Sequence, residues 1–112
     1  AAYRAVLARA PASPAARTGL ARCLLATGRD RDAMKELATG LRDDPRCIEL
    51  RLLAATWDET RGALAEAADH LAAILAVDND HVEANRRLAG VLEQLGDVSG
   101  AVRCWRRVAG GG

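Results

Sequence analysis

Three glycines recur along the chain at a constant interval of 34 residues. They are Gly28, Gly62 and Gly96. Other positions keep the same interval, since alanine stands five residues after each glycine and Leu37, Leu71 or Trp105 stands nine residues after it. A fixed period of this length is typical of a repeat array, whose units bury their apolar side chains against their neighbours. The chain is therefore expected to present an extended surface, which favours binding over catalysis.

Each glycine lies between two segments whose apolar residues recur at helical spacing. Leu20 and Leu24 share one face before Gly28, and Ala33 and Leu37 share one face after it. Glycine suits the turn because a residue just past a helix C-terminus often adopts the left-handed conformation. The repeat unit is thus predicted to be an antiparallel helix hairpin, with the alanine after the glycine at the point where the two helices cross.

The periodicity predicts seven helices. They are expected at about residues 1–10, 14–27, 30–42, 46–60, 63–77, 80–95 and 97–109. Ser13-Pro14 and Asp44-Pro45 each offer an N-cap residue followed by proline at the first helical position. Asp80 with Glu83 has the spacing of a capping box.

The helix pattern predicts one partial repeat followed by three full ones. The partial repeat is 1–13, and the full repeats are 14–47, 48–81 and 82–112. The unpaired first helix, and a last helix with no capping helix after it, are expected for a segment of a longer array. The alternative is a natural terminus whose open apolar face pairs with a second copy.

Composition narrows the classes of partner. A net charge of +1, from 16 basic and 15 acidic residues, provides no overall field for nucleic acid. No apolar run approaches the roughly 18 to 20 residues that cross a bilayer, so direct membrane insertion is not expected. Three cysteines, Cys23, Cys47 and Cys104, favour reduced thiols and a cytosolic setting, with a periplasmic one left open.

A 34-residue helical hairpin with glycine in the turn, small residues at the crossing points and Pro45 between units resembles the tetratricopeptide repeat. The chain departs from that signature in two places. The family's large aromatic, eleven residues before the glycine, is replaced by Arg17, Arg51 and Asn85, and its tyrosine, four residues before, by Leu24, Asp58 and Leu92. Pentatricopeptide repeats are the nearest competitor, but their period is longer. The resemblance implies an all-α fold, a right-handed α-solenoid of antiparallel helix hairpins, in a protein expected to be bacterial.

The resemblance also implies a binding surface. In tetratricopeptide proteins the first helices of successive units line a concave groove that holds an extended peptide or a helix. By position, the groove would be formed by Thr18, Arg22, Leu25, Leu52, Thr56, Glu59, Arg86, Arg87, Gly90 and Glu93. The family's carboxylate clamp for chaperone tails would fall on Thr18, Arg22, Leu53, Glu83 and Arg87, of which only Arg87 agrees, so this type of ligand is not expected.

The arginines admit two interpretations. Arg22, Arg86 and Arg87 can bind an acidic peptide through bidentate contacts, or can belong to a solvated face balanced by Glu59, Glu83 and Glu93. Arg103, Arg106 and Arg107 form the densest basic cluster and are expected in the last turns of a helix, where the helix dipole favours positive charge.

Catalytic and metal-binding chemistry is not indicated. His70 and Cys104 are one period apart, as are Cys47 and His81, but neither pair has the four ligands of zinc or the oriented base of a cysteine nucleophile. Asp78-Asn79-Asp80 reads as a turn and cap and not as a calcium loop. No enzymatic activity, metal or cofactor is expected.

The sequence favours a non-catalytic interaction scaffold that binds a peptide or helix of a protein partner. A second hypothesis is a regulatory or assembly segment of a larger enzyme or envelope complex. A third is a homo-oligomer formed through the uncapped last helix.

Overall fold

The computed structural model describes residues 14–111. These residues form six helices and no strand: α1 (Pro14–Ala26), α2 (Asp30–Asp43), α3 (Ile48–Thr60), α4 (Leu64–Val77), α5 (Val82–Leu95) and α6 (Val98–Gly111). The helix predicted at residues 1–10 lies outside the described residues. The all-α class is confirmed.

The chain divides into two compact units, and the division falls within α3. The first unit ends at Leu53 and the second begins at Ala54. Helices α1, α3 and α5 begin at Pro14, Ile48 and Val82, so their starts are 34 residues apart. The division into repeats at 14–47, 48–81 and 82–112 stays a prediction from the sequence.

In the first unit, the core joins α1 to α2. Leu20 and Leu24 of α1 are buried with Ala33 of α2, and Leu25 and Met34 pack against them. Burial of a leucine side chain contributes about 1.5–3 kcal/mol, so these contacts stabilise the hairpin. Ala33, at the predicted crossing point of the two helices, is fully buried.

In the second unit, α5 packs against both α4 and α6. Leu71 and Ile74 of α4 are fully buried, as is Val91 of α5. The small residues at the repeated positions are buried too: Ala67, Ala89 and Ala101. The second helix of one hairpin is thus covered by the first helix of the next.

The three glycine turns have the predicted backbone conformation. Their φ angles are +77°, +77° and +85° at Gly28, Gly62 and Gly96, in the left-handed region. The same pair of hydrogen bonds closes each turn, as at Gly96, whose N–H donates to Glu93 O at 3.1 Å while Asp97 N–H donates to Leu92 O at 2.8 Å. This is the Schellman arrangement, which satisfies carbonyls at the end of the helix.

The predicted helix starts at Asp44-Pro45 and Asp80 are wrong. Helix α3 begins at Ile48, and Asp44 instead forms a turn in which its Oδ1 accepts from Arg46 N–H at 3.2 Å. Asp78, one period later, accepts in the same way from Asp80 N–H at 3.2 Å. An aspartate side chain that bonds to the backbone two residues on favours a turn over a helix.

The residue that caps α5 is His81 and not Asp80. His81 Nδ1 accepts a hydrogen bond from Ala84 N–H at 3.1 Å, at the start of the helix. The capping box predicted for Asp80 and Glu83 is therefore wrong, because the N-cap lies one residue later than the spacing indicated. The start of α1 at Pro14 is as predicted, although Ser13 lies outside the described residues.

Candidate protein-interaction surface

In the second unit, a polar contact joins α3 to α5 on the face that the repeat pattern assigns to ligand binding. Arg87 of α5 donates to Thr56 Oγ1 of α3 at 2.8 Å and forms an ion pair with Glu59. Both side chains of the ion pair are partly buried, at 21% and 31% exposure for Arg87 and Glu59. The contact orders the Arg87 guanidinium and leaves it less free to grip a ligand carboxylate.

The remaining candidates of this unit are accessible. Arg86 and Glu93 of α5 are exposed, and Gly90 between them is half-buried with nothing within 4 Å of the place where a Cβ would lie. Glu93 Oε1 accepts a hydrogen bond from Trp105 Nε1 of α6 at 2.8 Å. The surface therefore offers one exposed cation, an open backbone at Gly90 and an acidic side chain fixed by a tryptophan.

The candidates of the first unit differ in accessibility. Arg22 is exposed, Leu25 and Leu52 are half-buried, and Leu25 packs against the α1–α2 core. Thr18 is 3% exposed, and its hydroxyl donates to Pro14 O at 2.8 Å within its own helix. Thr18 therefore has little polar surface to offer a ligand.

The positions of Arg87 and Glu59 carry different residue types in the preceding repeat. Arg87 and Glu59 stand 34 residues after Leu53 and Leu25. An ion pair in the second unit therefore occupies the positions that carry two leucines in the first. The chemistry at these two repeat positions therefore differs between the two units.

The expected role of the basic cluster at Arg103, Arg106 and Arg107 is wrong. Helix α6 continues to Gly111, so its last turn contains no basic residue. The effect of a helix dipole falls off within the last turn, and these arginines lie before it.

A row of exposed apolar side chains lies on α6, where the sequence predicts an uncapped face at Val102, Trp105 and Val108, of which Val108 is half-buried. Val98 is 66% exposed, Val102 is 40% exposed and Trp105 is 41% exposed. At the Trp105 position the earlier repeats carry Leu37 and Leu71, which are both buried. Among the three residues at this repeat position, Trp105 is the exposed one.

A buried acidic residue went unrecognised at the sequence level. Asp58 of α3 is 7% exposed; its Oδ1 accepts from Arg61 at 2.9 Å, and its Oδ2 lies 3.6 Å from His70 Nε2 of α4. Arg61 in turn lies over the Trp57 ring, 5.6 Å from its centroid. The sequence signal was a carboxylate in place of the family's tyrosine, four residues before the glycine. Its burial could not be predicted because its partners lie in a turn and in another helix.

The cysteines are free thiols in different surroundings. Cys23 is exposed, while Cys47 and Cys104 are buried. Burial raises the pKa of the Cys104 thiol, against a smaller lowering effect of the guanidinium groups of Arg107 and Arg103. A thiol with a raised pKa stays protonated near neutral pH and is a poor nucleophile.

Two further observations on the described residues concern metal ions and membranes. No group of three or more His, Cys, Asp or Glu side chains within residues 14–111 is arranged to hold a metal ion. In the same part of the chain, no helix combines the length and the apolar character that spanning a membrane requires.

Comparison with known proteins identifies the architecture. A family model described as "Tetratricopeptide repeat" matches residues 1–56 and 60–108. No curated protein matches the chain. The solved structure "Crystal structure of MamA" is similar with a TM-score of 0.78 at 19% identity, covering 95% of this chain and 62% of that one.

Two other solved structures give the same result. "Crystal structure of MamA protein" has a TM-score of 0.77 at 20% identity, covering 96% of this chain and 58% of that one. "MamA MSR-1 C2" has a TM-score of 0.72 at 19% identity, covering 96% and 62%. The chain thus spans less than two thirds of the length of these proteins. At such identities the likeness concerns the fold alone, and it confirms a helical-repeat solenoid.

Proposed function

The chain belongs to the tetratricopeptide repeat family, and from this premise we propose that it binds a peptide or a helix of a protein partner on the face of its first helices. Membership of this family supports the broader role of a protein–protein interaction scaffold and points to a non-enzymatic repeat protein. The proposal concerns where and how the partner binds.

The observation that carries the proposal is the contact of Arg87 with Thr56 and Glu59. It brings the side chains of α3 and α5 together on one face, and the neighbouring Arg86 and Glu93 remain exposed there. Exposed charges of both signs beside an ordered ion pair suit a ligand that has charged groups of its own. In the first unit, we assign Arg22, Leu25 and Leu52 to the same function, and we leave out Thr18 because it is buried.

Selection from a phage-displayed library of random 12-residue peptides tests the proposal. A selected peptide is synthesised, and its Kd is measured by fluorescence anisotropy for the wild type and for the variants Arg86→Glu and Arg22→Glu. Reversing the charge of a contacting arginine should weaken binding by about tenfold or more, equivalent to about 1.4 kcal/mol.

Arg106→Glu is the matched control, because it makes the same charge change at an exposed position of α6. We expect this variant to bind within about twofold of the wild type, as for a distant exposed charge. If Arg86→Glu and Arg22→Glu both bind every selected peptide as the wild type does, the assignment to the first-helix face is wrong.

The exposed apolar row on α6 favours a second candidate function, self-association. The observation is the exposure of Val98, Val102 and Trp105, together with the complete burial of Leu71 one period before Trp105. Burying this row against a second copy would remove apolar area from water at about 25 cal/mol per Å². Sedimentation velocity should then show a mass that rises with concentration, and Trp105→Glu should restore the monomer. A wild type that stays monomeric at all concentrations rejects this candidate.

A further inference from the structure

A cleft of about 340 Å³ opens in the second unit between α4 and α6. Leu75 and Ala76 of α4 line one side, Leu88 and Leu92 of α5 line the base, and Arg103 and Arg107 belong to the α6 side. The volume lies at the lower end of the range of sites that bind small ligands or single side chains. The cleft lies between two second helices over the first helix α5, and its lining includes none of Arg86, Gly90 and Glu93.

The cleft combines apolar surface with positive charge. Arg103 and Arg107 stand one helical turn apart on α6, and none of the described residues that line the cleft is acidic. Arg107 donates to Asn85 Oδ1 at a long 3.4 Å, and Arg103 is exposed. Both guanidinium groups are thus available to an anionic ligand, and the dipole of α6 does not account for their position.

The cleft is not a necessary consequence of the repeat. One period earlier, the positions of Gly100 and Arg103 carry Glu66 and Asp69, which are longer or of opposite charge. The positions of Leu92 and Cys104 carry Asp58 and His70, whose side chains contact each other at 3.6 Å. The last repeat replaces these polar and acidic residues with small, apolar and basic ones.

We propose that this cleft binds an acidic segment of a protein partner, with an apolar side chain between α4 and α6 and a neighbouring carboxylate on Arg103 and Arg107. Guanidinium groups bind carboxylates through paired, charge-assisted hydrogen bonds. The apolar surface of Leu75, Leu88 and Leu92 can contact the apolar side chain of the segment, an interaction that a small carboxylate ion cannot make. The site is a second recognition surface that works independently of the first-helix face.

The probe is a fluorescein-labelled peptide of sequence Gly-Leu-Leu-Asp-Glu, and its matched control is Gly-Leu-Leu-Asn-Gln. Fluorescence anisotropy should show saturable binding of the acidic peptide and binding about tenfold weaker, or none, of the amide peptide. Equal binding of the two peptides, or no saturable binding of the acidic one, overturns the proposal.

Two variants within the cleft and one control outside it locate the binding. Arg103→Glu reverses the charge at its rim, and Ala76→Trp fills it from an exposed position of α4. Each should weaken binding by about tenfold, whereas Arg106→Glu, an equal charge change on the same helix outside the cleft, should stay within about twofold. Circular dichroism checks that all three variants fold.

Equal weakening by Arg103→Glu and Arg106→Glu would mean attraction by general charge, and the proposal would fail. Arg86→Glu on the first-helix face should leave the binding of this peptide unchanged. Loss of binding in that variant would show that the peptide binds on the first-helix face, and it would overturn the assignment to the cleft. The two sites are therefore tested separately.

Discussion

Arg51 and Asn85 stand one period apart and donate a hydrogen bond to carbonyl oxygens that are also one period apart. Arg51 Nε donates to Pro45 O at 3.0 Å, and Asn85 Nδ2 donates to Asn79 O at 3.0 Å. Each bond joins a first helix to the loop before it, six residues earlier. Two different polar side chains thus fix the loop at the position where the family signature has a large aromatic.

The two bonds should contribute differently to stability. Asn85 is 1% exposed and also donates to His81 O at 3.0 Å, so Asn85→Ala removes a buried amide together with both of its hydrogen bonds. We expect a loss of about 1–3 kcal/mol in the free energy of unfolding, measured by urea titration. Arg51→Ala is the control, since its bond is exposed, and should cost less than about 1 kcal/mol. A larger loss in Arg51→Ala than in Asn85→Ala would contradict this account.

Substitution by alanine should change the free energy of unfolding in opposite directions at Gly62 and Gly90. Gly62 has a φ of +77° and an open surrounding, so Gly62→Ala meets a backbone penalty and no clash. We expect the free energy of unfolding to fall by about 1 kcal/mol. The left-handed backbone is unfavourable for alanine, and this cost is partly offset because alanine lowers the entropy of the unfolded chain.

Gly90 provides the matched case for this glycine prediction. It lies inside α5 with ordinary helical backbone, and nothing stands within 4 Å of an added Cβ. Gly90→Ala should therefore stabilise the protein by about 0.5–1 kcal/mol, again by urea titration. Changes of the same sign in the two variants would show that backbone conformation does not set the difference.

The sequence predicted the turns well because the signal there is local. A glycine with positive φ is needed at Gly28, Gly62 and Gly96, and no other residue type meets that need as cheaply. The starts of α3 and α5 were missed because aspartate before a loop residue can either cap a helix or form a turn, and the turn is realised at Asp44 and Asp78. His81 has no counterpart in the repeat, since Cys47 precedes it by one period, so periodicity carried no signal for this cap.

The surfaces were less predictable than the fold because they depend on contacts across helices. The sequence named Arg87 and Glu59 as separate candidates, but their ion pair requires the spacing of α3 and α5. The basic cluster was assigned to the helix dipole because the end of α6 was placed at residue 109 and not at Gly111. The cleft depends on Leu75, Leu92 and Arg103 meeting from three helices, which no spacing in the sequence indicates.

The three cysteines should react with iodoacetamide at different rates. Cys23 is exposed and should be alkylated first, whereas Cys104 is buried and burial raises its pKa, so little thiolate is present at pH 8. Mass spectrometry of tryptic peptides gives the rate at each site, with protein in urea as the control in which the sites become similar.

The pH dependence gives a second readout for Cys104. Because burial raises the pKa of Cys104 above its ordinary value, the alkylation rate should continue to rise at a pH where that of the same thiol in urea-unfolded protein has levelled off. Alkylation of folded Cys104 as fast as that of Cys23 would contradict the burial of this thiol.

The buried Asp58 and its partner His70 should be replaceable by the apolar residues that stand at the same positions in the next repeat. Asp58 and His70 correspond to Leu92 and Cys104, so the double variant Asp58→Leu, His70→Cys puts the later pair into the earlier repeat. Removing His70 takes one polar partner from the buried Asp58 carboxylate, whereas an apolar pair of suitable volume at these two positions is often neutral or stabilising. In urea titration, His70→Ala should lose about 1 kcal/mol and the double variant should be at least as stable as the wild type. A double variant less stable than His70→Ala would show that the Asp58 contacts with Arg61 and His70 stabilise the second unit more than apolar packing can.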